Sequence, residues 1–229
     1  MEQKNDKMLP CDEKAKNVRL LATFLFWLTA LYVFLWFFSR YTLPALPFGT
    51  QVVIAFLGVW LPLVIPAVLM KRNGETLTWL GFTKVRLLRQ IVIGVLLALG
   101  TAAIFYGIPA CFGIRLANTT YHKLWEFLLN AAYQIFFIAV AEEILFRGYL
   151  YQKLLDLKLP VWGAALICSI LFGLAHIISA GSWLQCLCTA IIGFFWCAVR
   201  ITIKDCSLLS LMIAHGLYSV LLPMLVMLT

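Results

Sequence analysis

Ala141-Glu142-Glu143-Ile144-Leu145-Phe146-Arg147 decides how this chain folds. Two adjacent glutamates and an arginine lie inside the apolar run Asn130–Leu150, in a chain that has only ten acidic residues. An ionised side chain at the centre of a bilayer costs about 3 kcal/mol on insertion scales. Three such groups within two helical turns mark a place where polar chemistry is enclosed by protein. Glu143 and Arg147 are four apart, so on a helix they stack on one face and form an internal ion pair. Glu142 points about 100° away around that helix, so its partner must come from another element.

The surroundings of this stretch set the fold class. The chain has 229 residues, 63% hydrophobic and only 12% charged, where a soluble domain has about 25% charged residues. A membrane-crossing helix needs roughly 20 mostly apolar residues. Seven segments qualify: Leu20–Phe38, Gln51–Met70, Ile91–Ala110, Asn130–Leu150, Val161–Ile178, Leu184–Ile203 and Leu208–Leu228. The expected fold is therefore all-α, a polytopic membrane bundle of about seven transmembrane helices. Pro62 and Pro66 predict a kink in the second span. Residues 1–19 read as a polar cytoplasmic tail. Residues 20–123 hold the N-terminal spans and a basic amphipathic loop, and residues 124–229 form the polar-centred core. Tyr121–Leu129 reads as an amphipathic entry helix at the outer interface. Ser39-Arg40-Tyr41 is a poor cleavage site, so the first span reads as an uncleaved signal anchor.

The net charge of +8 is not a nucleic-acid patch. Of the 18 Lys and Arg residues, all but Arg40, Arg115 and Lys123 fall in the tail and in alternate connections, with Arg147 and Lys153 counted there. That pattern predicts a multi-pass protein of the cell membrane, N-terminus in the cytoplasm, touching anionic lipid. Within Lys71–Gln90, Trp79 is expected at headgroup level on a surface-lying segment. Lys204 and Asp205 are expected to be solvated. The seven cysteines show no Cys-x-x-Cys spacing and read as small packing residues.

Two of the three histidines complete the pattern. His176 and His215 lie in later spans, whereas His122 lies in a polar connection and reads as exposed. If the fourth and fifth spans form a hairpin turning near Leu159-Pro160, Glu142 and His176 are each about 17 residues from the turn. Both then lie at one height, roughly 25 Å from it, and face each other. His215 lies roughly 10 Å into the last span, with Ser219 one turn further on the same face. A carboxylate able to polarise water, with imidazoles beside it, can carry out general acid–base hydrolysis. Three ligands from Glu142, His176 and His215 would alternatively suit a catalytic zinc with one open position, although the helical His-Glu-x-x-His signature is absent.

These residues resemble a known family. Glu142-Glu143-Ile144-Leu145-Phe146-Arg147 resembles the Glu-Glu-x-x-x-Arg motif of the CPBP family, the CAAX proteases and bacteriocin-processing enzymes also called Abi. Phe172-Gly173-Leu174-Ala175-His176 is similar to its Phe-x-x-x-His motif, and His215-Gly216-Leu217-Tyr218-Ser219 to its His-x-x-x-Asn motif. The resemblance runs from Leu124 to Leu222 and is to bacterial members of the lysostaphin-resistance type. It implies an intramembrane endopeptidase in which Glu142 and His176 activate water. His215 and residue 219 would stabilise the oxyanion, while Glu143 and Arg147 hold the helix, with Phe172 supporting. It implies no required cofactor in the glutamate mechanism, with zinc as the alternative. The implied partner is a membrane-associated peptide or C-terminal segment, such as a small peptide precursor. Ser219 departs from the motif asparagine. A non-catalytic immunity protein or scaffold is the second class, and a proton-coupled transporter is a weaker third.

Overall fold

The computed structural model describes residues 11–112, 123–180 and 182–228. Arg115, His122 and the first ten residues of the tail lie outside the described residues. Among the described residues there is no strand, and the apolar segments form seven helices. They are α1 (Cys11–Ala45), α2 (Phe48–Asn73), α3 (Leu87–Gly107), α4 (Leu124–Asp156), α5 (Val161–Ala180), α6 (Trp183–Thr202) and α7 (Leu208–Leu228). Five of them, α1 to α4 and α6, are long and apolar enough to cross a membrane. The all-α polytopic bundle expected from the sequence is the fold found, with five candidate spans and two shorter apolar helices among the described residues.

The local causes are legible. Gly58 ends one helical stretch of α2, and a tight turn over Leu61–Leu63 precedes the next, Val64–Asn73. Pro62 has no N–H to continue the ladder, so the helix breaks where the prolines predicted. Gly74 stops α2 in the left-handed conformation (φ +69°), returning its N–H to the Met70 carbonyl, as glycine after a helix end commonly does.

Several expectations are corrected. The fourth helix begins at Leu124, so residues 124–129 are the first turns of α4 and not a separate entry helix. Its ladder widens to π-type over Tyr133–Ile138 and Ile144–Leu150, a distortion that often accompanies functional sites. The ordinary α-turn between them, Ala139–Glu143, carries both glutamates. The connection after α2 is largely exposed, but part of it packs into the bundle. Leu80 is 2% exposed, and Trp79 packs on Tyr149 with ring centroids 5.7 Å apart. Lys153, counted as a loop cation, is 1% exposed. Its amine pairs with Glu75 and with Asp156 (3.3 Å) and sits 4.7 Å from the Trp79 ring. That pairing lets an ammonium be buried. Arg147 is likewise fully buried rather than in a loop. Asp205 is not merely solvated: it pairs with Arg86 at 2.8 Å and Arg89 at 3.0 Å. The Arg86 hydrogen bond in particular holds its carboxyl below the usual carboxylate range.

The core lies in the C-terminal half. α5 packs along α6 and α3 along α7. The buried residues Leu145, Phe146, Tyr149, Cys168, Phe172 and Leu208 join α4, α5 and α7. Cys168, Cys186 and Cys197 are buried free thiols, consistent with packing.

Candidate active site

The polar centre is built from four helices. On α4, Glu143 and Arg147 are both fully buried, and Arg147 Nη1 donates to Glu143 Oε1 at 3.0 Å. The predicted internal pair is present. The sequence did not reveal its third member: His215 Nδ1 on α7 is also 3.0 Å from Glu143 Oε1. A carboxylate oxygen paired to a guanidinium accepts, so Nδ1 carries the proton and donates. His215 is thereby fixed with Nε2 turned towards Glu142, whose Oε2 is 3.7 Å away.

His176 on α5 is oriented by its own helix. Its Nδ1 lies 2.8 Å from the Phe172 carbonyl oxygen, which only accepts, so Nδ1–H is the donor. Its Nε2 faces Glu142 Oε2 at 3.9 Å. The hairpin arithmetic that put Glu142 and His176 at one height agrees with this distance. Glu142 Oε2 accepts no hydrogen bond among the described residues. It therefore stands between two imidazole nitrogens at separations that suit a bridging water-sized group better than a direct bond.

Phe172 is where the parts meet. Its ring lies 3.8 Å beneath the Arg147 guanidinium, 4.7 Å from the His176 ring and 6.0 Å from the His215 ring. A cation over an aromatic face offsets part of the cost of burying charge. Gly193 on α6 makes room for that guanidinium, since a Cβ there would collide with Arg147 Nη2. Trp196, one turn later, packs 5.3 Å from His215 and donates its indole N–H to Thr101 on α3 at 3.0 Å. Arg200 donates to the Arg147 carbonyl at 2.7 Å, relieving a backbone acceptor in the widened part of α4. Sequence reasoning missed Trp196, Gly193 and Arg200. A tryptophan N–H in an apolar helix needs a partner, which was the one available signal.

A cavity of about 1300 Å³ leads to this centre, walled by α1, α2, α4 and α5. Glu142 and His176 line it, with Tyr32, Tyr133, Pro62 and Phe146 among the other wall residues. Ser219 is half-buried on α7 and is not among the described lining residues. Among the described residues no group of three or more His, Cys, Asp or Glu side chains is gathered as metal ligands. The two contacts to Glu142, 3.7 and 3.9 Å, are wider than the roughly 3.3 Å separating tetrahedral donors placed about 2.0 Å from a zinc. The zinc arrangement does not fit this geometry as it stands.

Fold and site together define a polytopic helical membrane protein with an enclosed glutamate–histidine centre. Residues 124–221 match the family described as type II CAAX prenyl endopeptidase Rce1-like. The match spans α4 to α7 and agrees with the motif resemblance. Proteolytic hydrolysis is the activity class that the match supports. No curated protein and no solved structure matches the chain.

Proposed function

We propose that the protein is an intramembrane endopeptidase of the glutamate type, acting on a membrane-associated peptide or C-terminal segment. One observation carries the reading: Glu142 Oε2 lies within 4 Å of both His176 Nε2 and His215 Nε2, at the wall of a large, mostly apolar cavity. A water bridging these groups gives a proton to Glu142 as its oxygen attacks the scissile carbonyl. His215, when doubly protonated and held at Nδ1 by Glu143, offers Nε2–H to the oxyanion. The proton on Glu142 then passes to the leaving nitrogen as the C–N bond breaks, giving a carboxylate end and an amine end. No step requires a metal. The apolar walls suit an aliphatic or lipidated stretch of substrate, and the basic residues at the end bearing the α2–α3 and α6–α7 connections support a cytoplasmic N-terminus.

The test is cleavage by the membrane-inserted protein of two quenched fluorescent peptides, one farnesylated with a CAAX end and one apolar without lipid, with and without chelator. Cleavage lost in Glu142→Gln and His176→Ala and retained with chelator is the expected result. Unchanged cleavage in either variant overturns the mechanism, and chelator sensitivity overturns its metal-free form. Ser219 in place of the motif asparagine, outside the described lining of the cavity, favours a second reading: a non-catalytic immunity or scaffold protein. Under that reading, the cellular phenotype survives Glu142→Gln.

A further inference from the structure

Among the described residues, seven side chains with polar groups line the cavity: Tyr32, Trp36, Ser39, Arg40, Tyr133, Glu142 and His176. Most are accounted for. Ser39 Oγ donates to the Trp36 carbonyl at 2.9 Å, and Tyr133 Oη to the Ala55 carbonyl at 3.3 Å. Arg40 is exposed at the rim, near the end of α1. Glu142 and His176 belong to the centre described above. The Tyr32 hydroxyl alone among the hydroxyls of this wall makes no hydrogen bond among the described residues, and a partly buried phenol without a partner gives up the stabilisation its O–H could supply.

The level of Tyr32 in the bundle follows from helix arithmetic. α1 and α4 run antiparallel and touch where Phe24 meets Tyr149, with ring centroids 4.7 Å apart. From Phe24, Tyr32 lies two i+4 steps along the stripe that also buries Leu28, an advance of about 12 Å. From Tyr149 back to Glu142 the same direction is covered by about 10 Å. Tyr32 therefore stands at the height of Glu142, and its phenol and that carboxylate are within electrostatic reach of each other. Its ring is packed against the buried core, so its position is fixed.

Building on the endopeptidase reading, we propose that Tyr32 is a catalytic residue of this chain: its phenol O–H supplies the oxyanion hydrogen bond that a residue at position 219 does not deliver. Tyr32 lines the cavity directly, whereas Ser219, like His215, is not among its described lining residues. His215 on α7 and Tyr32 on α1 then hold the oxyanion together.

The experiment compares wild type with Tyr32→Phe, which keeps the ring and removes only the hydroxyl. On whichever quenched peptide the wild type cleaves, kcat is expected to fall about 10²-fold, the size of effect seen when one oxyanion donor is removed. KM and thermal unfolding in detergent stay unchanged. A peptide aldehyde, whose hydrate copies the tetrahedral intermediate, is expected to bind Tyr32→Phe less tightly by a similar factor, while the unreactive peptide alcohol binds both proteins equally. Full kcat in Tyr32→Phe overturns the inference, and so does a rise in KM alone or an equal loss of affinity for aldehyde and alcohol. If the wild type cleaves neither peptide and does not distinguish aldehyde from alcohol, the endopeptidase reading fails and the inference falls with it. Cleavage that vanishes in Glu142→Gln but survives Tyr32→Phe removes the inference alone.

Discussion

Two ionic clusters in this protein use the same side-chain types to opposite ends. Around Glu143, a guanidinium and an imidazole converge on one carboxylate oxygen, each at 3.0 Å, with Glu143 and Arg147 fully buried. Around Asp205, two guanidiniums converge on one carboxylate oxygen at 2.8 and 3.0 Å, but both arginines are about half exposed. Water and salt screen the second cluster and make it a loose tie between the ends of α3 and α7. Nothing screens the first, so each member is costly without the others. Its value is positional: it fixes where His215 points. Burial, not the pairing itself, turns a salt bridge into a device for aiming a side chain.

This contrast can be broken in order of expected effect. Arg147→Met takes the guanidinium from a fully buried carboxylate and leaves Glu143 with His215 alone. It is expected to cost about 3–5 kcal/mol, seen as a large drop in thermal unfolding temperature in detergent. The double variant Glu143→Leu/Arg147→Met should recover much of that stability while leaving cleavage lost, because His215 is no longer aimed. A double variant as unstable as the single one would show that shape, not charge, holds α4. His215→Ala is expected to lower kcat about 10²–10³-fold and to cost about 1–3 kcal/mol by removing a donor from a buried acceptor. A purely structural histidine would show only the second effect. Gly193→Ala pushes a Cβ into Arg147 Nη2 and is expected to cost about 1–3 kcal/mol by overpacking, read by the same unfolding measurement. The smallest effect belongs to Asp205→Asn: a slight loss of stability at neutral pH that fades in high salt. Because the Asp205 carboxyl is held below its ordinary range, its contribution is complete above that range. It is lost as pH falls through the lowered value, so wild type and Asp205→Asn should converge in acid. A gap that persists there would mean the contact is not electrostatic.

Much of this was legible because depth along a helix is a linear quantity. Apolar run lengths gave seven spans, Pro62 and Pro66 gave the break in α2, and counting from the α4–α5 turn brought Glu142 level with His176. Direction around a helix, when the neighbours come from distant sequence, is a different matter. Nothing local tells Glu143 that its second partner is His215, or Trp196 that its indole will meet Thr101 on α3. Charge counting also misplaced Arg147 and Lys153. A basic residue at the edge of an apolar run looks like a loop residue until the acids that neutralise it are seen, and Glu75 lies far away in sequence.

The break in α2 has a structural consequence. Its Val64–Asn73 half buries Pro66 and Leu69 in the bundle, whereas its Phe48–Gly58 half buries no residue. The two are joined through Val59 to Leu63, where the regular ladder is interrupted, and Gly58, Val59 and Pro62 form part of the cavity wall. One side of the chamber is thus made of α4 and α5, held where Arg147 lies over the Phe172 ring and tied to α7 through Glu143 and His215. The other is the part of α2 where the helix is interrupted beside Pro62, so the wall facing Glu142 is shaped by a break in the backbone rather than by a continuous helix.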